Sequence, residues 1–492
     1  MTTTHLEREA KLTASNDFSL ARLPNGLGKY VADPAEFRRL HTTYYDTRDL
    51  RLARWYCSLR FRVGEGWTLK LLQPGTDKTA ALQRKEYTFA GGAGEIPARA
   101  LDLARAYLRG ATVAPVAEIR TLRSKRLVRR AVGGETIAEL ADDDVRVLEG
   151  TTVLQRFRQV EIECLTDDER MLRVLRSELQ RAGAGQVDPM AKNQRAAGGV
   201  EPELPHYRIS RSSSAGEVFA SAFAAAADSL IRNDATVRSD NDPTALHVLR
   251  TAVRRLRSYL RTFRPVLLRS RAMMLRDQLD WLNHVFARAR NLDVFFDSLQ
   301  AQTTELEPAD VSRAQELLEH LDAERNAAYD AVRAAMRESR YDELLERLIL
   351  AASTPIVRPG ARAAARQLEH MLIRRPFRRL IRAARSAGKP PSERDLHTIR
   401  IKSKHLRFVA ETLATVGGKR VKRIARAAKC LQTVLGEHHD AVTALRHLRE
   451  LAGNPSFAFA AGQLAERSRL QAKAKRARWR DAWKTLRRSA KR

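Results

Sequence analysis

Short runs in which apolar and polar residues alternate fill the chain as far as about Val187. They include Leu6 to Leu12, Ser58 to Val63, Thr68 to Leu72, Arg84 to Phe89, Thr136 to Ala141 and Phe157 to Cys164. A period of two, punctuated by Gly and Pro, predicts strands joined by turns. Two stretches carry apolar residues at helical spacing instead, near Ala98 to Leu108 and Asp168 to Ala182. This half predicts an antiparallel sheet or barrel with a few helices. From Gly216 onward Ala, Leu, Arg and Glu dominate and apolar positions recur three and four apart, which predicts an all-helical bundle. Between the two, AKNQRAAGGVEPELPHYRISRSSSA loses all periodicity and reads as an interdomain linker. The expected organisation is α+β: residues 1–190, a linker over 191–215, and helices over 216–490. Breaks at Thr354 to Gly360 and Ser386 to Asp395 subdivide the helical part, giving copies of about 216–353 and 360–490.

The helical half repeats itself. His247, Arg250, Arg254, Leu256 and Arg257 return 150 residues later as His397, Arg400, Lys404, Leu406 and Arg407. LNHVFARARNLDV from Leu282 returns, 149 residues later, as LQTVLGEHHDAVT from Leu431. A duplicated domain, one bundle per copy, is expected. Each set of four basic positions falls within about 80° of helix circumference and runs roughly 15 Å along the axis. Two such stripes related by a pseudo-dyad would line a basic groove suited to a chain of phosphates. Arg supplies a planar fork for phosphate oxygens and Lys a point charge; Arg255, beside Arg254, is counted with this set. A solvated helix face is the plain alternative, but it gives no reason for the same positions to recur.

Charge sharpens this picture. The chain has 89 Lys and Arg against 58 Asp and Glu, a net charge of +31, which favours a polyanionic partner. Residues 1–200 hold 33 basic and 26 acidic groups, whereas 201–492 hold 56 and 32, so the helical half is the expected polyanion binder. Aromatic residues are 6% of the chain and do not interleave with the stripes, which argues against nucleic acid. Cys57, Cys164 and Cys430 are too few and scattered for a disulfide framework or zinc cluster, so a reducing compartment is expected. The first residues lack an apolar signal core and no run reaches a membrane span, so a cytoplasmic protein is expected.

In the front half, Glu7, Glu9 and Lys11 share one face of a strand, with Leu6, Arg8, Ala10 and Leu12 on the other. Polar alternation recurs at Arg60 and Arg62, Lys70, Arg84 and Glu86, Glu139, and Glu161 with Glu163. Turned outward these would be an ordinary solvated sheet face. Turned inward, they give a barrel interior of both signs, in which carboxylates hold a hard divalent ion and Arg and Lys neutralise phosphate oxygens.

This front half resembles the CYTH family of triphosphate tunnel metalloenzymes, whose ExExK signature is matched by Glu7, Glu9 and Lys11. The likeness extends through HTTYYDTRDLRLARWYCSLRFR, the Trp67 to Lys70 strand, Arg84 with Glu86, and Glu161 to Glu163. The back half resembles the CHAD domain, a helical duplication linked with polyphosphate binding. The resemblance implies a β-barrel tunnel followed by two duplicated helical bundles, and an inorganic triphosphatase using Mg2+ or Mn2+. It assigns Glu7, Glu9, Glu161 and Glu163 to metal, and Lys11, Arg60, Arg62, Lys70 and Arg84 to phosphate, with Glu86 in the tunnel wall. Strand parity with Glu139 favours Asp143 over Asp142 as the late catalytic aspartate. Arg120, Arg123 and Lys125 compete for one or two inward positions, with Arg120 and Arg123 taken as phosphate ligands. In the helical half His247, Arg250, Arg254, Arg255, Arg257, His397, Arg400, Lys404 and Arg407 would bind polyphosphate. The implied location is the cytoplasm, free or on polyphosphate granules. Relatives also cyclise adenylate or hydrolyse thiamine triphosphate, and a non-enzymatic binder of phosphate chains is the second reading. Two departures stand out: Cys164 and Leu165 follow Glu163 where the family often has Lys, and Asn291 replaces an acid that its repeat partner Asp440 keeps.

Overall fold

The computed structural model describes residues 3–75, 81–304, 306–358 and 365–491, in two compact units, Met1–Glu203 and Leu204–Arg492. Gly360, the expected start of the second copy, lies outside the described residues.

The first unit contains strands β1 (Thr3–Ala14), β2 (Gly26–Leu27), β3 (Tyr30–Ala32), β4 (Glu36–Asp46), β5 (Ser58–Arg62), β6 (Gly66–Leu72), β7 (Leu82–Phe89), β8 (Ala114–Arg130), β9 (Thr136–Glu149) and β10 (Thr152–Cys164). Antiparallel pairing runs β8-β4-β5-β6-β7-β1-β10-β9, and β9 returns to β8, closing an eight-stranded barrel. Closure leaves no edge among these eight; β2 and β3 extend the wall beside the end of β8.

The apolar core lies outside this wall. Ala10 and Leu12 of β1, Leu140 of β9, and Val160 and Ile162 of β10 point outward. They pack under helix α3 (Glu169–Arg181), which presents Met171, Leu172, Leu175 and Leu179. Asp168 starts α3 by accepting the Arg170 and Met171 amides at 2.9 and 3.0 Å. The alternate positions are thereby forced inward, and they are the charged ones. After β4, buried Asp46 accepts the Thr47, Leu52 and Ala53 amides at 2.7 to 2.9 Å, folding the chain into the short helix α1 (Arg51–Arg54) before β5. Ala98–Leu108 is helix α2, as its spacing predicts.

The linker expectation is corrected at its start. Lys192–Ala196 is a short helix, α4, of the first unit, Gln194 and Asn193 donate to the carbonyls of Ala53 and Cys57, and Glu203 pairs with Arg54 and Arg109.

The second unit is helical: α5 (Ala215–Arg232), α6 (Asp234–Ser239), α7 (Pro243–Thr262), α8 (Arg269–Thr303), α9 (Pro308–Ala335), α10 (Ser339–Ser353), α11 (Ala365–Ser386), α12 (Glu393–Thr412), α13 (Gly418–Leu451) and α14 (Ala458–Lys491). α7 and α12 are both 20 residues long and start 150 residues apart, so the duplication holds in structure. Each begins on a side-chain cap, Asp242 accepting from Thr244 at 2.7 Å, and Ser392 with Asp395 forming a reciprocal box. Leu299, Leu317, Leu321, Leu448 and Leu464 bury one end of α8, α9, α13 and α14 together, joining the two copies through one core.

Candidate functional site

Register determines what meets inside the barrel. Glu7 lies opposite Arg84 on one side, while Glu9 and Lys11 lie opposite Glu163 and Glu161 on the other. One cavity of about 190 Å3 is lined by these and by Arg60, Arg62, Lys70, Glu86, Arg123 and Glu139. His5, Tyr44, Ser58, Ala141, Ala191, Lys192 and Asn193 complete it. The lining holds seven Lys or Arg and six Glu, a formal excess of one positive charge.

Charges this deep persist only when paired. Lys70 Nζ lies 2.5 Å from Glu7 Oε1 and 2.8 Å from Glu86 Oε2. Arg84 is paired with Glu9, and Lys11 Nζ sits 3.2 Å from Glu9 and 3.1 Å from Glu161. Lys192 Nζ bridges Glu161 at 2.6 Å and Asp143 at 2.8 Å. Arg123 donates through Nε and Nη2 to the two oxygens of Asp143 at 2.8 and 2.7 Å, and reaches Glu161 at 3.1 Å. Burial alone would raise the Glu161 carboxyl, but Lys11, Lys192 and Arg123 pull it well below the usual range. Asp143 is likewise lowered against burial, by Lys192 and then Arg123.

Asp143 thus points inward, whereas Asp142 points out to Arg158 at 2.7 Å. Arg123 enters the site, and Lys125 meets Glu139 at 2.5 Å. Arg120 does not enter. Three positions from Arg123 on a strand of period two, it is exposed on the outer face opposite His41 and Arg146. Lys192, Tyr44 and His5 escaped the sequence reading. Lys192 sits in a stretch with no periodic signal, so only the fold brings it in.

In the helical unit the stripes meet. Lys404 is the centre: burial, then Arg254, Arg400, Arg250 and Arg257, push its pKa down to about 6. Burial and then Arg250, Arg400 and Arg407 lower Arg254 to about 10. Arg290 of α8, not foreseen, adds its charge to His247, Arg250 and Arg254. The Nε atoms of Arg250, Arg254 and Arg257 are buried without a hydrogen-bond partner. Acceptors sit at the margin: Asn291 is 3.3 Å from Arg250, Glu411 2.6 Å from Arg407, and Asp280 pairs with Arg257. His397 packs its ring 4.6 Å from that of His439. Arg255 leaves the set; one residue from Arg254 is about 100° around the helix, and its charge acts on Tyr259.

A closed antiparallel barrel with its core outside and its charges inside is the architecture of a triphosphate tunnel enzyme, here joined to a basic helical domain. The CYTH domain profile matches residues 5–192 and the CHAD domain profile residues 221–449. The uncharacterized protein MT2285 of Mycobacterium tuberculosis is 30% identical over 514 residues, spanning 96% of this chain and 95% of that one. The chain belongs to the family in which a CYTH domain is followed by a CHAD domain. The solved CHAD domain of Ricinus communis is 24% identical, covering 58% of this chain and 96% of its own, with a TM-score of 0.47. HpAC1 of Hippeastrum, a putative adenylyl cyclase with a dominant triphosphatase activity, is 18% identical over 40% of this chain and 98% of its own, TM-score 0.27. CYTH domains are tunnel enzymes of the triphosphatase or cyclase type and depend on a divalent metal.

Among the described residues no group of three or more His, Cys, Asp or Glu forms a metal cage, because the tunnel carboxylates are turned onto Lys and Arg. The donors nonetheless fit a hard cation. They are all oxygen, Glu7 Oε2 is buried with no hydrogen-bond partner, and burial followed by Glu7 pushes the Glu163 carboxyl up to about 7. A near-neutral lining also cannot admit a highly charged anion unless cations accompany it.

Proposed function

We propose that the barrel hydrolyses inorganic triphosphate with Mg2+ or Mn2+, and that the helical domain binds polyphosphate through the paired stripes. The observation that carries the first part is the interleaving of seven cations with six carboxylates around one small cavity whose described lining has little apolar surface, from Tyr44, Ala141 and Ala191. That lining suits a bare phosphate chain better than a nucleotide.

Arg60, Arg62, Lys70, Arg84 and Arg123, with Lys11 and Lys192, would take phosphate oxygens in place of the carboxylates they now face. Glu86 holds Lys70, and Asp143 holds Arg123 and Lys192, so these donors stay aimed at the cavity. Glu7, Glu9, Glu161 and Glu163 would hold the divalent cation, which when bound polarises phosphoryl oxygens and lowers the pKa of water. Closed walls exclude bulk water and strengthen each of these contacts.

In the helical unit the three buried, unpartnered Nε atoms and the low pKa of Lys404 describe cations assembled ahead of an anion. Binding there would also carry the protein to polyphosphate granules.

Purified protein should release phosphate from tripolyphosphate only with Mg2+ or Mn2+, and faster than from ATP. Metal-independent release, or no release from a folded protein, would reject the triphosphatase reading.

A further inference from the structure

Beyond one end of the stripes the helical unit opens a second cavity, of about 690 Å3, and no stripe residue lines it. Its wall holds seven arginines and His405. Arg261 ends α7, Arg269 and Arg276 come from α8, and Arg375 and Arg379 from α11. Among the described residues no Asp or Glu and no Lys lines it. The nearest carboxylate to Arg276, Asp280 at 3.9 Å, is already held by Arg257. Burial, then the charges of Arg379 and Arg276 on the same cavity wall, lower Arg261.

The N-terminus of α8 points its dipole here as well. This 35-residue helix has no side-chain cap at Leu268 and no acid in its first turn, while Arg269 and Ala272 of that turn line the cavity. Uncapped amides and a positive helix end favour an anion.

Two contrasts define the anion. In the tunnel cations alternate with carboxylates, as a metal-borne substrate needs; here none do, so the ligand must bring its own negative charge. Unlike the tunnel, this cavity also has apolar surface, chiefly from exposed Met273 and Pro265, with buried Leu260 and Leu372 beneath them. An inorganic phosphate chain gains nothing from such surface, whereas a flat ring does, and arginine can stack on that ring while binding phosphate. The size falls in the roughly 300–1,000 Å3 range of small-ligand sites. We propose that this cavity binds a nucleoside polyphosphate, its phosphates on the arginines and its base against the apolar surface.

The test uses the full chain in EDTA, which silences metal-dependent hydrolysis, with ATP carrying a fluorophore on its ribose as probe. Arg375→Glu combined with Arg379→Glu changes two exposed positions of α11, so the fold should survive, as an unchanged Tm would verify. Affinity for the probe should fall at least about tenfold. Tripolyphosphate hydrolysis with metal restored, and long-chain polyphosphate affinity, should not change. Unlabelled ATP should displace the probe at concentrations about tenfold below those of tripolyphosphate, reflecting burial of the base. Probe affinity within about twofold of wild type in the double variant, or equal displacement by tripolyphosphate, would overturn the proposal.

Discussion

Replacing Lys192 by Met tests whether the tunnel extends into what the sequence presents as linker. Lys192 Nζ touches Asp143 and Glu161 at 2.8 and 2.6 Å, and its side chain is only 9% exposed. Removing one partner of an isolated buried pair costs about 3–5 kcal/mol. Here the cost is smaller, because Asp143 keeps both bonds from Arg123, and Glu161 keeps Lys11 at 3.1 Å and Arg123 at 3.1 Å. Two carboxylates each losing one of several contacts give roughly 1–3 kcal/mol. For a unit of this size that is about 2–4 °C in Tm per kcal/mol. Catalysis should suffer more. A preorganised charge that meets the phosphate in the transition state is worth about 10²–10³ in kcat, and the same loss is expected in kcat/KM for tripolyphosphate. Lys192→Arg should recover part of it. Steady-state phosphate release, with Tm measured in parallel, checks both numbers. A folded Lys192→Met protein with near wild-type kcat/KM would show that Lys192 is only a structural counter-ion.

Glu9→Gln keeps an acceptor for Lys11 and Arg84 but removes one carboxylate charge, so metal-dependent hydrolysis should disappear while Tm changes by a few degrees at most. Residues 1–203 expressed alone should fold and hydrolyse tripolyphosphate, whereas residues 1–190, lacking Lys192, should not; equal activity of the two fragments would contradict the placement of that residue. Polyphosphate affinity should rise as pH falls from 8 to 6. Free Lys404, facing Arg250, Arg254, Arg257 and Arg400, is neutral above about 6, and a bound polyanion raises its pKa, so binding takes up a proton. That uptake steepens affinity by up to about tenfold per pH unit per proton. Lys404→Met should flatten the slope above pH 6.5, leaving the steps from His247 and His397, both held below the ordinary histidine value, at lower pH; an unchanged slope would exonerate Lys404.

Strands with one clearly apolar face were legible in the chain. β1 alternates because Ala10 and Leu12 meet α3 while Glu9 and Lys11 turn inward. β4 was not read from its pattern, since Glu36 to Leu40 has no buried face, and burial begins only at Thr42. β8, reached only through the resemblance, was not legible in its own pattern for a related reason: its inward Arg123 and Lys125 are polar, while outward Leu122 is exposed, which inverts the usual rule. Closure of the barrel rests on β1 pairing with β10 and β4 with β8, long-range pairings that local spacing does not encode. The duplication was legible because His247, Arg250, Leu256 and Arg257 of α7 recur at the same spacing in α12, yet Arg255 shows the limit: adjacency in sequence put it with the stripe, and helix geometry removes it.

The two cation-rich sites solve opposite problems. In the tunnel, Lys70, Arg84, Arg123 and Lys192 each rest on a carboxylate, so a phosphate chain would have to exchange partners to enter. On the proposed function, exchange would free carboxylates for a divalent cation arriving with the substrate, which would couple the binding of the two. In the groove, Arg250, Arg254, Arg400 and Lys404 crowd together with few acceptors, and the cost appears as the low pKa of Lys404. A polyanion would relieve that repulsion on contact and release counterions, so its binding there would need no metal and should weaken steeply with salt. Salt therefore separates the two: raising it should loosen polyphosphate on the helical unit long before it affects turnover in a barrel whose ion pairs are shielded from solvent.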